Sequence, residues 1–220
     1  MGKINKEKIA IYLVVAAVVL TVFSQFQISK INGYLENGYS NNENVLATGI
    51  KDVNALSVLP KGIPNVYGKE LGIKYDDVSV NDPQNAELTI RKLALFDNSL
   101  NLEGDLLQRY IKITNSISCE YCCGATAITT ADGQAACGCA HSYAMRGLAK
   151  YLLTKHPEMK DDEVLNELGK WKTLFFPDNI NAKAPFLKEK GIELNYINLA
   201  SNKYRGIEQG NTQGNMVGGC

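Results

Sequence analysis

Charge of one sign is not in excess in this 220-residue chain, because 23 basic residues are balanced by 23 acidic ones. Proteins that bind nucleic acid usually carry a basic surplus, so we expect no nucleic-acid partner. Histidine is scarce, with two residues in the chain, and the sequence contains no recognisable serine, histidine and acid set of a hydrolase. Phosphate-binding loops, dinucleotide fingerprints and paired zinc-histidine motifs are also missing. These absences disfavour an enzyme without excluding one.

Cysteine, in contrast, is concentrated in one short window. Five of the six cysteines and one of the two histidines lie there, as Cys119, Cys122, Cys123, Cys137, Cys139 and His141. Between the two halves of the window, Asp132-Gly133 is flanked by short strand-forming runs, a pattern that predicts a tight β-hairpin. Such a hairpin would fold the first three cysteines back onto the later cysteines and the histidine.

Convergence of thiols and imidazole in this way predicts a metal site. Tetrahedral zinc takes four such ligands, and a Cys-x-x-Cys pair lets two sulfurs reach one ion. The predicted ligands are Cys119, Cys122, Cys137 and Cys139, with Cys123 and His141 as alternates. Zinc is favoured, although thiolate-rich sites also suit copper(I) and iron–sulfur clusters. The surplus ligands leave room for a second metal, a redox cysteine or a disulfide beside the site.

Two other interpretations of the same cysteines remain open. In a thiol-disulfide oxidoreductase, Cys119 and Cys122 would exchange a disulfide while Cys137 and Cys139 relayed electrons. In an interaction module, the cysteines would form structural disulfides, which an oxidising compartment permits. If a metal is bound, the sequence leaves open whether it is structural or is being handled.

Apolar periodicity predicts a mainly α-helical domain with one small β-hairpin. Helices are expected at about 82–96, 103–115, 142–155, 161–175 and 182–190, and a strand is expected at 192–197. Trp171 falls on the apolar stripe of the fourth helix, so we expect it in the core. His156 follows the third helix and is expected to be a surface or capping residue rather than a ligand.

The N-terminal region predicts a membrane anchor. Residues 9–28 are uncharged and long enough to cross a bilayer, and lysines precede them. We therefore expect a single-pass protein of the cell membrane with a cytoplasmic N-terminus and the main domain outside. A cleaved signal peptide is the alternative. The predicted organisation is an anchor at 1–28, a flexible stalk at 29–60, a cysteine-rich helical domain at 61–200, and a Gly/Asn-rich tail at 201–220, whose Cys220 is either a ligand or incidental.

The segments 118–124 (SCEYCCG) and 137–152 (CGCAHSYAMRGLAKYL) resemble a set of uncharacterised membrane-anchored proteins from archaea and uncultivated bacteria. The likeness extends back to residues 66–72 and forward to residues 171–177, but it implies no activity.

Three shorter resemblances concern the cysteines. The order of knuckle, hairpin, cysteine pair and helix is similar to a treble-clef zinc finger, although Cys-x-Cys-x-His replaces the usual second Cys-x-x-Cys. Cys137-Gly-Cys139 with a nearby histidine resembles the lipoproteins named for a Pro-Cys-Tyr-Cys-Gly-Cys motif. Cys119-x-x-Cys122 followed by a helix resembles the thiol reductase subunit of cytochrome c maturation, which lacks a second cysteine cluster.

Overall fold

Helices account for the regular structure of residues 58–208 and 214–218, which are the residues that the computed structural model describes. In chain order they are α1 (Gly68–Leu71), α2 (Pro83–Ser99), α3 (Gly104–Asn115), α4 (Ala140–Lys155), α5 (Asp161–Phe175), α6 (Pro177–Glu189) and α7 (Tyr196–Ala200). Two 3-10 turns, Tyr75–Asp77 and Asn202–Tyr204, accompany them. The prediction of a mainly α-helical domain is therefore confirmed.

Local sequence signals set the helix boundaries. The Asp82 carboxylate accepts a hydrogen bond from the Asn85 N–H at 3.1 Å, and Pro83 occupies the first position of α2. Helix α4 ends before His156, its C-cap residue, and Pro157 follows. Pro177 opens α6 directly after α5. Each boundary is therefore set by a residue whose side chain or ring satisfies or removes an end group of the helix.

Helices α2 and α4 form the centre of the main core. A Cβ atom at Gly147 would lie 2.1 Å from the Leu93 carbonyl oxygen, so only glycine allows the two backbones to approach this closely. Leu93 on α2 and Leu152 on α4 are fully buried around this contact. Trp171 on α5 completes the same core with 0% of its surface exposed, which confirms its predicted position.

A second, smaller hydrophobic cluster lies where α6 and α7 meet. Ile180 and Leu187 of α6 pack with Leu199 of α7 and with Val58. The predicted strand at 192–197 is wrong, because residues 192–195 form no strand and lead into α7. Asn195 begins this helix by accepting a hydrogen bond from the Asn198 N–H at 2.9 Å.

The predicted β-hairpin is wrong as well, although the chain does turn where expected. The Thr130 N–H donates to the Gln134 carbonyl at 2.8 Å, and Gly133 adopts a φ of 85°. One isolated bridge, between Thr129 and Ala135, flanks this turn, and no strand occurs in the described ranges. The physical reason is that the first flanking run pairs outside the turn: the Ile128 N–H donates to the Ile117 carbonyl at 3.0 Å, and Arg146 donates to the Ile128 carbonyl at 3.2 Å. Without a hairpin, the treble-clef topology is not confirmed.

The predicted membrane topology also requires correction. In residues 58–208 and 214–218, no helix is both long and apolar enough to span a bilayer. The longest of these helices, α2, has 17 residues and carries Glu87, Arg91, Lys92 and Asp97. On this finding, the predicted membrane partner and single-pass localisation are wrong. Residues 9–28 and most of the predicted stalk lie outside the described residues, and the predicted domain boundaries stay predictions.

Candidate metal centre

The cysteine window forms an irregular loop between the end of α3 and the start of α4. Ile117 leaves α3 and pairs with Ser201, which fixes the loop near Cys119. After the turn at residues 130–134, the Ala136 N–H donates to the Ile128 carbonyl at 3.2 Å and returns the chain towards α4. The turn therefore brings the two halves of the window together without a β-sheet.

Arg146 of α4 forms hydrogen bonds with the backbone of this loop. Its guanidinium donates to the carbonyl oxygens of Cys137 at 2.8 Å and Ile128 at 3.2 Å. It also forms a 2.7 Å ion pair with Asp97 of α2, where both side chains are buried. Since a rigid guanidinium fork fixes several acceptors at once, Arg146 positions the second cysteine cluster relative to the helical core.

Three sulfurs from the two halves of the window converge at the N-terminus of α4. The ligand atoms of Cys119, Cys137 and Cys139 all lie within 4.8 Å of one another. The Sγ atoms of Cys119 and Cys139 are 3.3 Å apart. All three residues are buried. The sequence named these three cysteines among its four ligands, and their role as ligands stays a prediction.

The fourth predicted ligand, Cys122, is placed differently from the other three. Its ligand atom lies within 4.8 Å of those of Cys139 and His141, which form a second possible metal group with it. Cys122 is, however, disulfide-bonded, whereas Cys119, Cys123, Cys137 and Cys139 are free. A sulfur held in a disulfide is not a thiolate, so Cys122 in this state is a poor ligand. Cys220 lies outside the described residues.

His141 presents an unused ring nitrogen inside the protein. Its Nε2 atom lies 2.8 Å from the Val217 carbonyl oxygen and therefore donates to it, which leaves Nδ1 with the lone pair. Nδ1 is buried and has no hydrogen-bond partner. Packing against Phe175 and Phe176, at ring-centroid distances of 4.8 and 4.9 Å, fixes the ring. A buried and unpartnered imidazole nitrogen is a suitable metal ligand.

Cys123 is the exposed member of the window. Its Sγ atom lies 2.7 Å from that of Cys137, but Cys123 belongs to neither of the two possible metal groups among the described residues. The structure thus separates the two alternates named from the sequence: His141 is buried beside Cys139, and Cys123 is at the surface beside Cys137.

The thiol groups differ in acidity. The hydrogen bond with Cys119 lowers the pKa of Cys139 far below its ordinary value, and contact with Ser142 acts in the same direction. Cys139 is the N-cap residue of α4, and its sulfur accepts the Ser142 N–H at 3.4 Å. The same pairing, together with burial, raises the pKa of Cys119. Burial and the contact with Cys123 raise the pKa of Cys137.

A buried group of charges beside Cys119 was not predicted. Glu120, Lys172, Lys183 and Glu208, here called the Glu120 cluster, bring two carboxylates and two ammonium groups together. Lys172 and Lys183 contact Glu120 at 2.9 and 3.1 Å, and their side chains are fully buried. A sequence signal existed, because Lys172 occupies a core position on the apolar stripe of α5 together with Leu168 and Phe175.

His156 takes no part in this site. It is the C-cap residue of α4, at the helix end opposite Cys139, and its ring nitrogens face Glu70 at 3.7 Å and Glu158 at 3.6 Å. The prediction that it is a capping residue is confirmed.

No protein-family model, curated protein or solved structure matches this chain. A buried cluster of cysteines with a histidine can hold a metal ion, and this is the chemistry for which its ligands are suited.

Proposed function

We propose that the chain binds one metal ion at Cys119, Cys137 and Cys139, with Nδ1 of His141 as the fourth ligand. The observation that carries the proposal is the approach of three buried cysteine sulfurs, from two segments of the chain, to within 4.8 Å of one another. His141 replaces Cys122 of the predicted set, because Cys122 is disulfide-bonded and His141 has an unpartnered nitrogen. His141 is grouped with Cys139 and not with Cys119 or Cys137, so a bound ion would draw its ring towards those two sulfurs.

Zinc fits this ligand set best. Three thiolates and one imidazole form one of the common tetrahedral zinc arrangements. A [4Fe–4S] cluster is usually held by four cysteines, which the three converging thiols do not provide. Copper(I) shares the preference for thiolates, so zinc and copper are to be compared directly by experiment.

The surroundings compensate the charge of such a complex. Three thiolates around a divalent ion leave one net negative charge in a buried place. The N-terminus of α4 lies at Cys139 and favours negative charge. The ammonium group of Lys172, in the Glu120 cluster, interacts electrostatically with Cys119. Both features would stabilise the thiolate form that a metal requires.

Burial favours a structural metal over one in transit. Cys119 and His141 have 0% of their surface exposed, and Cys137 and Cys139 have 7%. A partner that receives a metal needs access to its ligands, whereas closed four-ligand sites are typical of structural zinc. The ion would connect the loop after α3 to the first turn of α4.

Metal titration of the reduced, metal-free protein tests the proposal. We expect one zinc ion per chain in native mass spectrometry. With cobalt, we expect the spectrum of a tetrahedral thiolate site. A chelator should lower the free energy of unfolding by about 2.7 kcal/mol at metal concentrations about 100 times the dissociation constant, because only the folded state binds.

Matched variants identify the ligands. Cys139→Ser and His141→Asn should weaken zinc binding by more than the roughly 10–100-fold typical of outer-sphere changes. Cys123 is the matched control, because it is exposed and its sulfur lies 2.7 Å from that of Cys137. Cys123→Ser should bind zinc as the unaltered protein does. A reduced protein that binds no metal, and whose stability a chelator leaves unchanged, would contradict the proposal.

A thiol-disulfide oxidoreductase is the second candidate, favoured by the 3.3 Å separation of the Cys119 and Cys139 sulfurs and by the position of Cys139 at a helix N-terminus. Burial of both residues weighs against it, because an incoming disulfide must reach a sulfur. This candidate requires a reversible Cys119–Cys139 disulfide in the metal-free protein. Peptide mapping after equilibration with a thiol buffer would detect it, and Cys119→Ser would abolish it.

A further inference from the structure

Cys123 and Cys137 are two free thiols in direct contact. Their sulfurs are 2.7 Å apart, shorter than an ordinary non-bonded contact between sulfur atoms. The two residues differ in exposure and in their relation to the possible metal groups. Cys123 is exposed and outside both possible metal groups, whereas Cys137 is buried and belongs to the group with Cys119 and Cys139. One accessible thiol thus touches one proposed ligand.

The backbone on both sides of this contact is held in place. Arg146 donates to the carbonyl of Cys137 at 2.8 Å. Arg205 donates to the carbonyls of Gly124 at 2.9 Å and Ala125 at 2.8 Å, directly after Cys123. A disulfide bond is about 2.0 Å long, so the sulfurs need to approach by only about 0.7 Å. Bond formation therefore needs little movement of the loop.

We propose that Cys123 and Cys137 form a redox pair, and that its oxidation by a small-molecule disulfide releases the metal ion. The inference rests on the proposed function, because Cys137 is one of the proposed ligands. A sulfur in a disulfide no longer carries the negative charge of a thiolate. Oxidation thus removes one of four ligands, and the three that remain hold the ion less tightly.

The reaction is two steps of thiol-disulfide exchange. The Cys123 sulfur attacks one sulfur of the small-molecule disulfide, and the first small thiol leaves with the proton that Cys123 loses. The Cys137 thiolate then attacks the Cys123 sulfur of the mixed disulfide. The second small thiol leaves and takes a proton from water. The two electrons given up by the cysteine pair reside on the two small thiols.

Accessibility decides which cysteine reacts first. The sulfurs of Cys119 and Cys139 are also close, at 3.3 Å, but only 0% and 7% of these residues' surfaces are exposed. Cys122 is already disulfide-bonded. Cys123 is the exposed one of the four free cysteines that the described ranges contain. An incoming disulfide therefore meets Cys123, and Cys137 is the thiol that resolves the intermediate.

Oxidised glutathione is the probe for this inference. The full chain, loaded with zinc, is treated with it while a coloured chelator reports zinc in solution. We expect zinc release in step with a Cys123–Cys137 disulfide in peptide maps, with no glutathione left attached. Excess reduced glutathione should reverse the reaction and restore binding. Cys123→Ser should bind zinc normally and release it at least about tenfold more slowly.

The outcomes separate this inference from the proposed function. Zinc retained after oxidation, release of equal rate in Cys123→Ser, or a map that shows Cys119–Cys139 instead, each overturns the redox pair and leaves the metal site standing. Loss of zinc binding in Cys123→Ser also overturns it, because Cys123 would then be a ligand. A reduced protein that binds no zinc overturns the proposed function and the release step together.

Discussion

Glu120 has an unusual backbone conformation for a residue beside a proposed metal ligand. Its φ is 56°, in the left-handed region, and the Tyr121 N–H donates to the Cys119 carbonyl at 2.5 Å, which closes a γ-turn around it. Glutamate in this region costs about 1–2 kcal/mol. The Glu120 cluster offsets this cost, because Glu120 accepts hydrogen bonds from Lys172, Lys183 and the Gly206 N–H.

Substitution of Glu120 separates the cost of its left-handed backbone from the stabilisation by its carboxylate. Glu120→Ala should lower the free energy of unfolding by about 3–5 kcal/mol, because two buried lysines lose their partner. Glu120→Gly removes the same carboxylate but tolerates the left-handed backbone, so it should be about 1 kcal/mol more stable than the alanine variant. Urea unfolding measures both values. The control is Glu87 of α2, which is half-buried in a surface ion pair with Arg91, and Glu87→Ala should cost no more than about 0.5 kcal/mol. Equal stability of the alanine and glycine variants would show that the turn is unstrained.

At the scale of elements, α5 joins the core to the cysteine loop. Trp171 is fully buried, and its Nε1–H donates to the Tyr67 hydroxyl at 2.6 Å. Tyr67 in turn donates to Glu167 at 3.0 Å, so the indole belongs to a buried polar chain as well as to the apolar core. One turn further along, Phe175 packs on His141. The same helix therefore supports both the core and the proposed ligand.

Removal of the indole tests whether α5 can lose its contribution to the core and still support the proposed ligand His141. Trp171→Ala should cost roughly 3–5 kcal/mol, the usual range for a large buried aromatic side chain. The number of zinc ions bound per folded chain should not change, because the ring of Trp171 packs on Tyr75 and Phe175, which are not proposed ligands. Denaturant unfolding and metal analysis measure the two quantities. The exposed Leu88, 63% accessible on α2, is the control and should cost less than about 0.5 kcal/mol when changed to alanine. Unchanged stability in Trp171→Ala would be inconsistent with a core role.

Helices were predictable from the sequence where local signals agreed. Asp82-Pro83 marks a helix start, and the apolar stripe of α5 lies within the predicted bounds. The start of α6 was predicted too late, because this helix begins at Pro177 and not at 182. The hairpin failed because Asp-Gly specifies a turn but not a ladder, which depends on where the flanking residues find partners. Ile128, in the first flanking run, pairs with Ile117 and with Arg146, and no local pattern encodes these pairings. The predicted strand at 192–197 failed because residues 192–195 form no strand and lead into α7, which Asn195 begins.

The candidate site was predictable in composition but not in detail. Sequence spacing brought the cysteines together, yet it could not distinguish buried His141 from exposed Cys123. That difference depends on α5, whose Phe175 covers the histidine. Lys172 on the apolar stripe of α5 signalled a buried charge, but its partner was missed because Glu120 is 52 residues from Lys172 and 63 residues from Lys183 along the chain. Burial of charge depends on tertiary partners, which a single sequence does not reveal.

At the scale of the whole molecule, the buried lysine makes stability depend on pH. Burial lowers the pKa of Lys172 to about 8, against about 10.4 for a lysine in an unfolded chain. Between these values the unfolded state binds a proton that the folded state has released. Stability from this group therefore rises with pH, by up to about 1.4 kcal/mol per pH unit.

Comparison with Lys172→Met isolates this contribution. The difference in free energy of unfolding, unaltered protein minus variant, should increase from pH 8 to pH 10 at constant metal occupancy. Urea unfolding at several pH values measures it. A difference that stays constant or decreases over this range would mean that Lys172 keeps its proton in the folded state.

The contact between His141 and Val217 has a consequence for biosynthesis. Val217 accepts a hydrogen bond from His141 and donates its own N–H to the Phe175 carbonyl at 2.9 Å. His141 and Val217 are 76 residues apart, so on a growing polypeptide every cysteine of the window leaves the ribosome well before this clasp can form. Until residues 214–218 dock, the Nε2 atom of His141 lacks this acceptor, and the ring orientation that the proposed metal site requires is not yet fixed. The proposed ligand His141 is therefore fixed by Val217 only in chains that have been synthesised as far as residues 214–218.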